Sequence, residues 1–135
     1  MEIRRADKRN DYDGIWNIFK EVISTGDTYV FDPNTPKENL EKLWLADSMD
    51  TFVATDNNEI VGTYFIKPNQ IDLGSHIANC GYMVHPDYHG RGIGHMLCEH
   101  SLTFAKEKGY LGMQFNIVVS TNVTAVKLWQ NSVSK

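Results

Sequence analysis

No stretch of the 135 residues approaches the roughly 20 consecutive apolar residues needed to span a bilayer. Glu2, Arg4 and Arg5 make the start charged rather than signal-like, so no membrane is expected and the expected compartment is cytoplasmic. Basic runs are missing too. Thirteen Lys and Arg face 17 Asp and Glu, a net charge of −4, with no basic stripe of the kind that displaces counterions from nucleic acid. Cysteine is scarce: Cys80 and Cys98 make no disulfide framework and read as small buried hydrophobes. The pairs His85/His89 and His95/Cys98 have no third partner, so no metal is expected. There is no internal repeat, low-complexity tract or linker. What is present, 41% apolar and 22% charged residues, is the composition of a soluble chain that builds its own core as one domain over residues 1–135.

Periodicity supplies the elements. A short strand is expected at Ile3 to Ala6. Ile15, Ile18, Phe19, Val22 and Ile23 recur at the spacing of one apolar helix face, with Asp11 and Asp13 suited to the unpaired amides at its start. Thr35, Pro36 and Glu38 read as the cap, first residue and capping-box partner of a second helix with Leu40, Leu43 and Trp44 inside. Thr51–Thr55 and Ile60–Ile66 read as a hairpin across Asp56-Asn57-Asn58-Glu59, and Ile77 to Val84 as a strand stopped by Pro86. A helix begins near Gly92 with Ile93, Leu97, Phe104 and Ala105 inward, and Gly109 ends it. Met113 to Val119 is a further strand, and Thr121 is expected to cap a last helix carrying Ala125, Val126, Leu128 and Trp129. The order is β-α-α-β-β-β-α-β-α. The unit from Ile77 to Val119 is expected to cross over right-handedly and place its two strands parallel.

Chemistry concentrates at His89-Gly90-Arg91-Gly92-Ile93-Gly94, between a strand and a helix. Taken alone, glycines here serve tight backbone packing equally well. At a helix N-terminus, successive N–H groups without side chains in the way cradle an anion such as pyrophosphate, with Arg91 at the rim. This is not a P-loop, because His95-Met96 follows Gly94 instead of Lys-Ser/Thr. Nor is it a dinucleotide fingerprint, whose third glycine would stand where Leu97 does.

The run Tyr82-Met83-Val84-His85-Pro86-Asp87-Tyr88-His89-Gly90-Arg91-Gly92-Ile93-Gly94 resembles the signature of the GCN5-related N-acetyltransferases (GNAT). That signature is a strand, a Val-x-Pro-x-Tyr-x-Gly turn, then Gln/Arg-x-x-Gly-x-Gly/Ala. Asn122-x-x-Ala125-x-x-Leu128-Trp129 is similar to a second family pattern, so the likeness covers nearly the whole chain. It implies an α/β fold: a mixed, mostly antiparallel central sheet with a splayed parallel pair and flanking helices. It also implies acetyl-CoA as acetyl donor, its pyrophosphate held along His89, Gly90, Arg91, Gly92, Ile93 and Gly94. The pantetheine would pair with the main chain of Met83 and Val84, and Asn122 would contact that arm or its water.

Three features depart from the family. His89 stands where Gln or Arg is usual. Trp129 stands where many members have a tyrosine, and indole cannot return a proton to a thiolate. The chain ends at Lys135 where the family continues with Gly-Phe and two more strands. The expectation is that those last two strands are missing, that Ile117 to Val119 sit on an open edge, and that a homodimer covers it.

Transfer of acetyl to an amine needs a neutral nucleophile, hence a base, and donors for the developing oxyanion. By family analogy Glu21 is the candidate base, with a solvated helix carboxylate as the plain alternative. Asn122 is the other catalytic candidate, while Asp27 and Tyr29 are candidates for the amine pocket. The activity expected is direct transfer from acetyl-CoA to a primary amine of a small molecule within a ternary complex. The alternatives are a catalytically weak CoA-binding or assembly module, and a protein N-terminal or lysine acetyltransferase.

Overall fold

Asn57 and Asn58 both take positive φ, 53° and 68°, the pair of left-handed residues that a two-residue hairpin turn requires. They join β2 (Asp50–Asp56) to β3 (Glu59–Pro68), which pair antiparallel. In the computed structural model, residues 1–24, 32–68, 77–88, 92–117 and 123–128 are described, with backbone only for 115–117 and 123–128. Before the hairpin come β1 (Glu2–Arg5), α1 (Tyr12–Ile23), a 3₁₀ turn (Lys37–Asn39) and α2 (Leu40–Trp44). After it come β4 (Ile77–Val84), a second 3₁₀ turn (Pro86–Tyr88), α3 (Ile93–Lys108), β5 (Gly112–Ile117) and β6 (Val123–Leu128). The strands form one sheet in the order β1-β2-β3-β4-β5-β6, antiparallel except for β4 and β5, which run parallel on either side of α3. That is the mixed α/β sheet expected from the sequence. No described helix is long and apolar enough to cross a membrane.

Strand alternation splits the core into two faces. Tyr64, Ile66, Cys80 and Tyr82 point to the α3 side and pack with Ile93, Leu97 and Ala105. Phe65 and Met83 point to the other side and pack with Ile15, Phe19, Val22, Leu40 and Trp44 of α1 and α2. Gly62 lets α3 seat closely. A Cβ there would lie 2.9 Å from Ile93 Cγ2 and 3.1 Å from Leu97 Cδ1, nearer than such contacts permit.

Three expectations are corrected. The last segment is strand β6, paired with β5 from Ile117↔Val123 to Gly112↔Leu128, and not a helix capped by Thr121. A helix this short gains little by itself, whereas pairing satisfies the main-chain groups on the outer edge of β5 and suits β-branched Val123, Thr124 and Val126. Ile117 therefore lies on a paired strand, and the argument for a homodimer from an open β5 edge no longer applies. Thr35 does not cap: its hydroxyl donates to Asp32 O at 2.6 Å, and no side chain caps the following 3₁₀ turn, whose N-cap is Pro36. Asp11 occupies the N-cap of α1 but its carboxylate turns away from the helix amides. It accepts two bonds from Arg4, at 2.7 and 2.9 Å, and one from the Asp7 amide at 2.6 Å. The Arg4 guanidinium holds this carboxyl below the usual Asp range.

Beneath α3, Tyr64 Oη lies 2.7 Å from His100 Nδ1, and Tyr82 Oη 2.6 Å from Ser101 Oγ. Burial raises the pKa of both phenols, so each keeps its proton. Burial also lowers the pKa of His100. The folded chain thus binds this proton less readily than the unfolded one. Its stabilising contribution is complete above the unfolded value near 6.5 and declines as pH falls below it. The thermal midpoint is expected to drop as pH falls from about 7.5 to about 5.5. His100→Gln, which cannot titrate, should flatten that slope; an equal slope in both proteins would contradict this assignment.

Candidate functional site

Gly92 is the N-cap of α3 at φ +78°, a left-handed conformation strained for any residue with a Cβ. The first bond of the helix ladder runs from Met96 N–H to Gly92 O at 3.0 Å. The amides of Ile93, Gly94 and His95 precede it and belong to the first turn, where an α-helix has no internal acceptor for them. No side chain caps this end and no acidic residue lies in its first turn. Asp13 and Glu41 occupy the corresponding turns of α1 and α2. Among the described residues, the positive end of the α3 dipole is therefore left without a carboxylate in its first turn, the arrangement that suits an external anion. Gly92 and Gly94 are exposed, while Ile93 is buried and anchors the turn to the core. Among the described residues, a Cβ on Gly92 would meet no atom within 4 Å, and one on Gly94 only Val84 Cγ2, at 3.9 Å.

The carboxyl end of β4 lies beside this turn. His85 N–H donates to Val61 O at 2.9 Å, so with the register Gly62↔Val84 and Thr63↔Met83 the hydrogen-bonding groups alternate along the strand. Met83 turns its N–H and C=O toward β3. Val84 turns its own toward the β5 side. There the β4–β5 ladder ends, among the described residues, at Tyr82↔Ile117, two positions earlier. Of the two strand residues expected to meet the pantetheine, Val84 carries the outward main-chain groups.

Between these two features the chain makes a tight turn. His85 O accepts from Tyr88 N–H at 2.9 Å, and His85 Nδ1 accepts from Asp87 N–H at 3.1 Å. The rings of His85 and Tyr88 meet edge to face at 5.8 Å, and Tyr88 Oη donates to Glu59 Oε2 at 3.3 Å. Behind the turn, on the α1 side, is a cavity of about 680 Å³ lined among others by Arg4, Asn17, Glu59, His85, Asp87 and Tyr88. It borders the start of α1, so Glu21 is not in its lining. Glu21 is exposed in the last turn of α1 and makes no ion pair among the described residues. His89, Gly90, Arg91, Asp27, Tyr29, Asn122 and Trp129 lie outside the described residues.

Residues 14–132 match the model of the acetyltransferase (GNAT) family. The chain belongs to the GNAT family. A 71-residue stretch is 38% identical to N-acetyltransferase aca1 of Schizosaccharomyces pombe, covering 53% of this chain and 34% of that protein. Among solved structures, a GCN5-related N-acetyltransferase from Kribbella flavida is 33% identical, with a TM-score of 0.77 over 85% of this chain and 70% of that one. A GNAT-family acetyltransferase from Brucella melitensis, solved with acetyl-CoA, shares the fold at 18% identity and TM-score 0.67, over 84% and 73% of the two chains.

Within this GNAT chain the sequence pattern located the glycine turn and the strand before it. It assigned no role to His85, Tyr88, Glu59 or Gly62. Tyr88 was legible as a motif position, and Gly62 as a glycine inside a strand, which signals a close approach. The bonds of His85 and Glu59 depend on the fold and left no local signal.

Proposed function

We propose that this chain is an acetyl-CoA-dependent N-acetyltransferase acting on a primary amine of a small molecule. The observation that carries the reading is the first turn of α3, uncapped and free of acid, next to the outward main chain of Val84. In this reading the amides of Ile93, Gly94 and His95 hold the donor's pyrophosphate, with His89, Gly90 and Arg91 completing the turn. An extended pantetheine arm, itself an amide chain, pairs with Val84 N–H and C=O as an added strand would. Family membership and the fold shared with the Brucella melitensis protein solved with acetyl-CoA support this choice of donor.

Transfer is direct, within a ternary complex. The lone pair of a neutral amine attacks the thioester carbonyl, the new C–N bond forms, and the C–S bond breaks. The amine proton passes to a base and the departing thiolate takes up a proton. No covalent enzyme intermediate is involved. Glu21 is the proposed base, working directly or through water, with Asn122 at the pantetheine arm and Asp27 and Tyr29 shaping the amine pocket. The exposed carboxylate of Glu21, in the last turn of α1 and without an ion pair among the described residues, supports its part.

Isothermal titration against acetyl-CoA, NAD and ATP tests the donor: binding is expected for the first alone, and no heat with acetyl-CoA removes the proposal. Thiol release with a panel of amines tests turnover. Release near the blank rate for every amine, with acetyl-CoA bound, would favour a CoA-binding module instead. Glu21→Gln is expected to lower kcat by about two to four decades with the affinity for acetyl-CoA unchanged. An unaltered kcat and pH–rate profile would exclude Glu21 as the base.

A further inference from the structure

One donor molecule must reach two features, the Val84 main chain at the end of β4 and the first-turn amides of α3. Their separation is set where α3 packs on the sheet, and one position in β3 governs how closely it does so. Gly62 is the cross-strand partner of Val84 and lies on the face that α3 covers. Val84 turns its hydrogen-bonding groups away from β3, so the two form the kind of pair in which antiparallel strands bring side chains closest. Gly62 has no side chain, which leaves a notch in the sheet at this point. Ile93, the first residue of α3, is buried against it, and Val84 packs on the same cluster. A Cβ at position 62 would lie 2.9 Å from Ile93 Cγ2, whereas carbon atoms pack best about 3.5–4.0 Å apart. The neighbours do not yield equally. Leu97 Cδ1, at 3.1 Å, is the far end of a side chain that rotates. Ile93 Cγ2 branches from Cβ, and a β-branched side chain in a helix is confined to one χ1 well, so it retreats only with the main chain that carries it. β3 is held by pairing on both sides, to β2 and to β4. The first-turn amides have no acceptor inside the helix. The turn is therefore what moves.

We propose that Gly62 is a positioning residue of the donor site: by leaving room for Ile93 it seats the first turn of α3 close beside Val84, so that pantetheine and pyrophosphate of one molecule are held together. This rests on the donor site proposed above. Gly62 acts through Ile93 and touches no ligand itself. A residue that sets a spacing acts on ligands that use both ends. The advantage of a joined ligand over its parts depends on that geometry, whereas each part binds on its own terms.

The test compares CoA with 3′,5′-ADP, a fragment that reaches the α3 amides without a pantetheine arm. Dissociation constants are measured by titration calorimetry for CoA and by NMR shift for the fragment, well below the thermal midpoint of each variant. Gly62→Ala pushes the first turn outward by about half an ångström. Its affinity for CoA should fall by about three- to tenfold, the loss of one hydrogen bond along the joined ligand. Its affinity for 3′,5′-ADP should stay within about twofold, because that ligand does not span both ends. Ile93→Leu keeps the side-chain volume but has no Cγ2 branch at Cβ. Added to Gly62→Ala, it removes the closest contact, and the double variant should regain most of the lost CoA affinity. A general loss of stability would not be repaired in binding by that exchange. CoA binding unchanged in Gly62→Ala overturns the proposal, as does equal loss of CoA and fragment or failure of Ile93→Leu to rescue. Should Gly62→Ala not fold, the double variant is compared with Ile93→Leu alone. Their affinities for CoA should then agree within about twofold, and a tenfold gap, by about the same measure, overturns the role. If the natural chain binds no CoA, the donor site falls and this role with it. If it binds CoA and Gly62→Ala binds it equally well, only the role of Gly62 falls.

Discussion

Gly94→Glu should abolish CoA binding while the protein remains folded. Among the described residues the added Cβ meets only Val84 Cγ2, at 3.9 Å, and the position is exposed, so the side chain fits without moving the backbone. Glutamate is also a better helix former than glycine, and a carboxylate in the first turn interacts well with the dipole, so the thermal midpoint should hold or rise. For an incoming pyrophosphate the effect reverses. The carboxylate competes for the amides of the same turn and repels an anion close by. Two unit charges 4 Å apart repel by about 4 kcal/mol at the effective dielectric of a protein surface, so affinity should drop more than a hundredfold. Gly92→Glu should also abolish binding, but its φ of +78° adds backbone strain, which makes Gly94 the cleaner probe. Calorimetry and a thermal melt on one preparation decide the matter. CoA binding by Gly94→Glu at the natural affinity would place the anion elsewhere.

The largest expected loss of stability is at Trp44. It is fully buried, meets Phe65 edge-on at 4.8 Å and Phe19 at 6.2 Å, and joins α2 to the sheet. Its indole N–H donates to Thr63 Oγ1 at 3.0 Å, and that hydroxyl donates in turn to Phe52 O at 2.8 Å. Thr51 Oγ1 closes the arrangement on Trp44 O at 2.7 Å. Trp44→Ala opens a cavity between α1, α2 and β3 and takes away the donor to a buried hydroxyl, a loss of about 3–5 kcal/mol. Trp44→Phe retains much of the ring and should lose less than Ala does. Guanidinium unfolding measures both. A loss under about 1 kcal/mol for the alanine variant would mean that α2 contributes little to the domain.

Local pattern was a good guide wherever an element is decided by its own residues. The face of α1 is written in the spacing of Ile15, Ile18, Phe19, Val22 and Ile23, all buried. β4 spans Ile77–Val84 as read, because Pro86 allows no continuation, and α3 opens at Gly92 and closes at Gly109 as its glycines indicate. The parallel pairing of β4 and β5 followed from the crossover through α3. The left-handed N-cap of α3 at Gly92 was legible because such a position favours glycine.

What the tertiary structure decided is where each element's unpaired groups find partners. Val123 to Leu128 fits a helix face by spacing and a strand by β-branching, and the free edge of β5 selected the strand. Asp11 suits a helix cap by position, yet Arg4 of the neighbouring strand takes its carboxylate. Thr35 turned to Asp32 in the same way. Whether Met83 or Val84 presents its amide to the β5 side depends on the register with β3, which no local window contains. Spacing along the chain records which face a side chain will show. The partner of a polar group is fixed by distant segments, and so the strand and helix start that flank the proposed donor site were legible in the sequence while the hydrogen bonds around them were not.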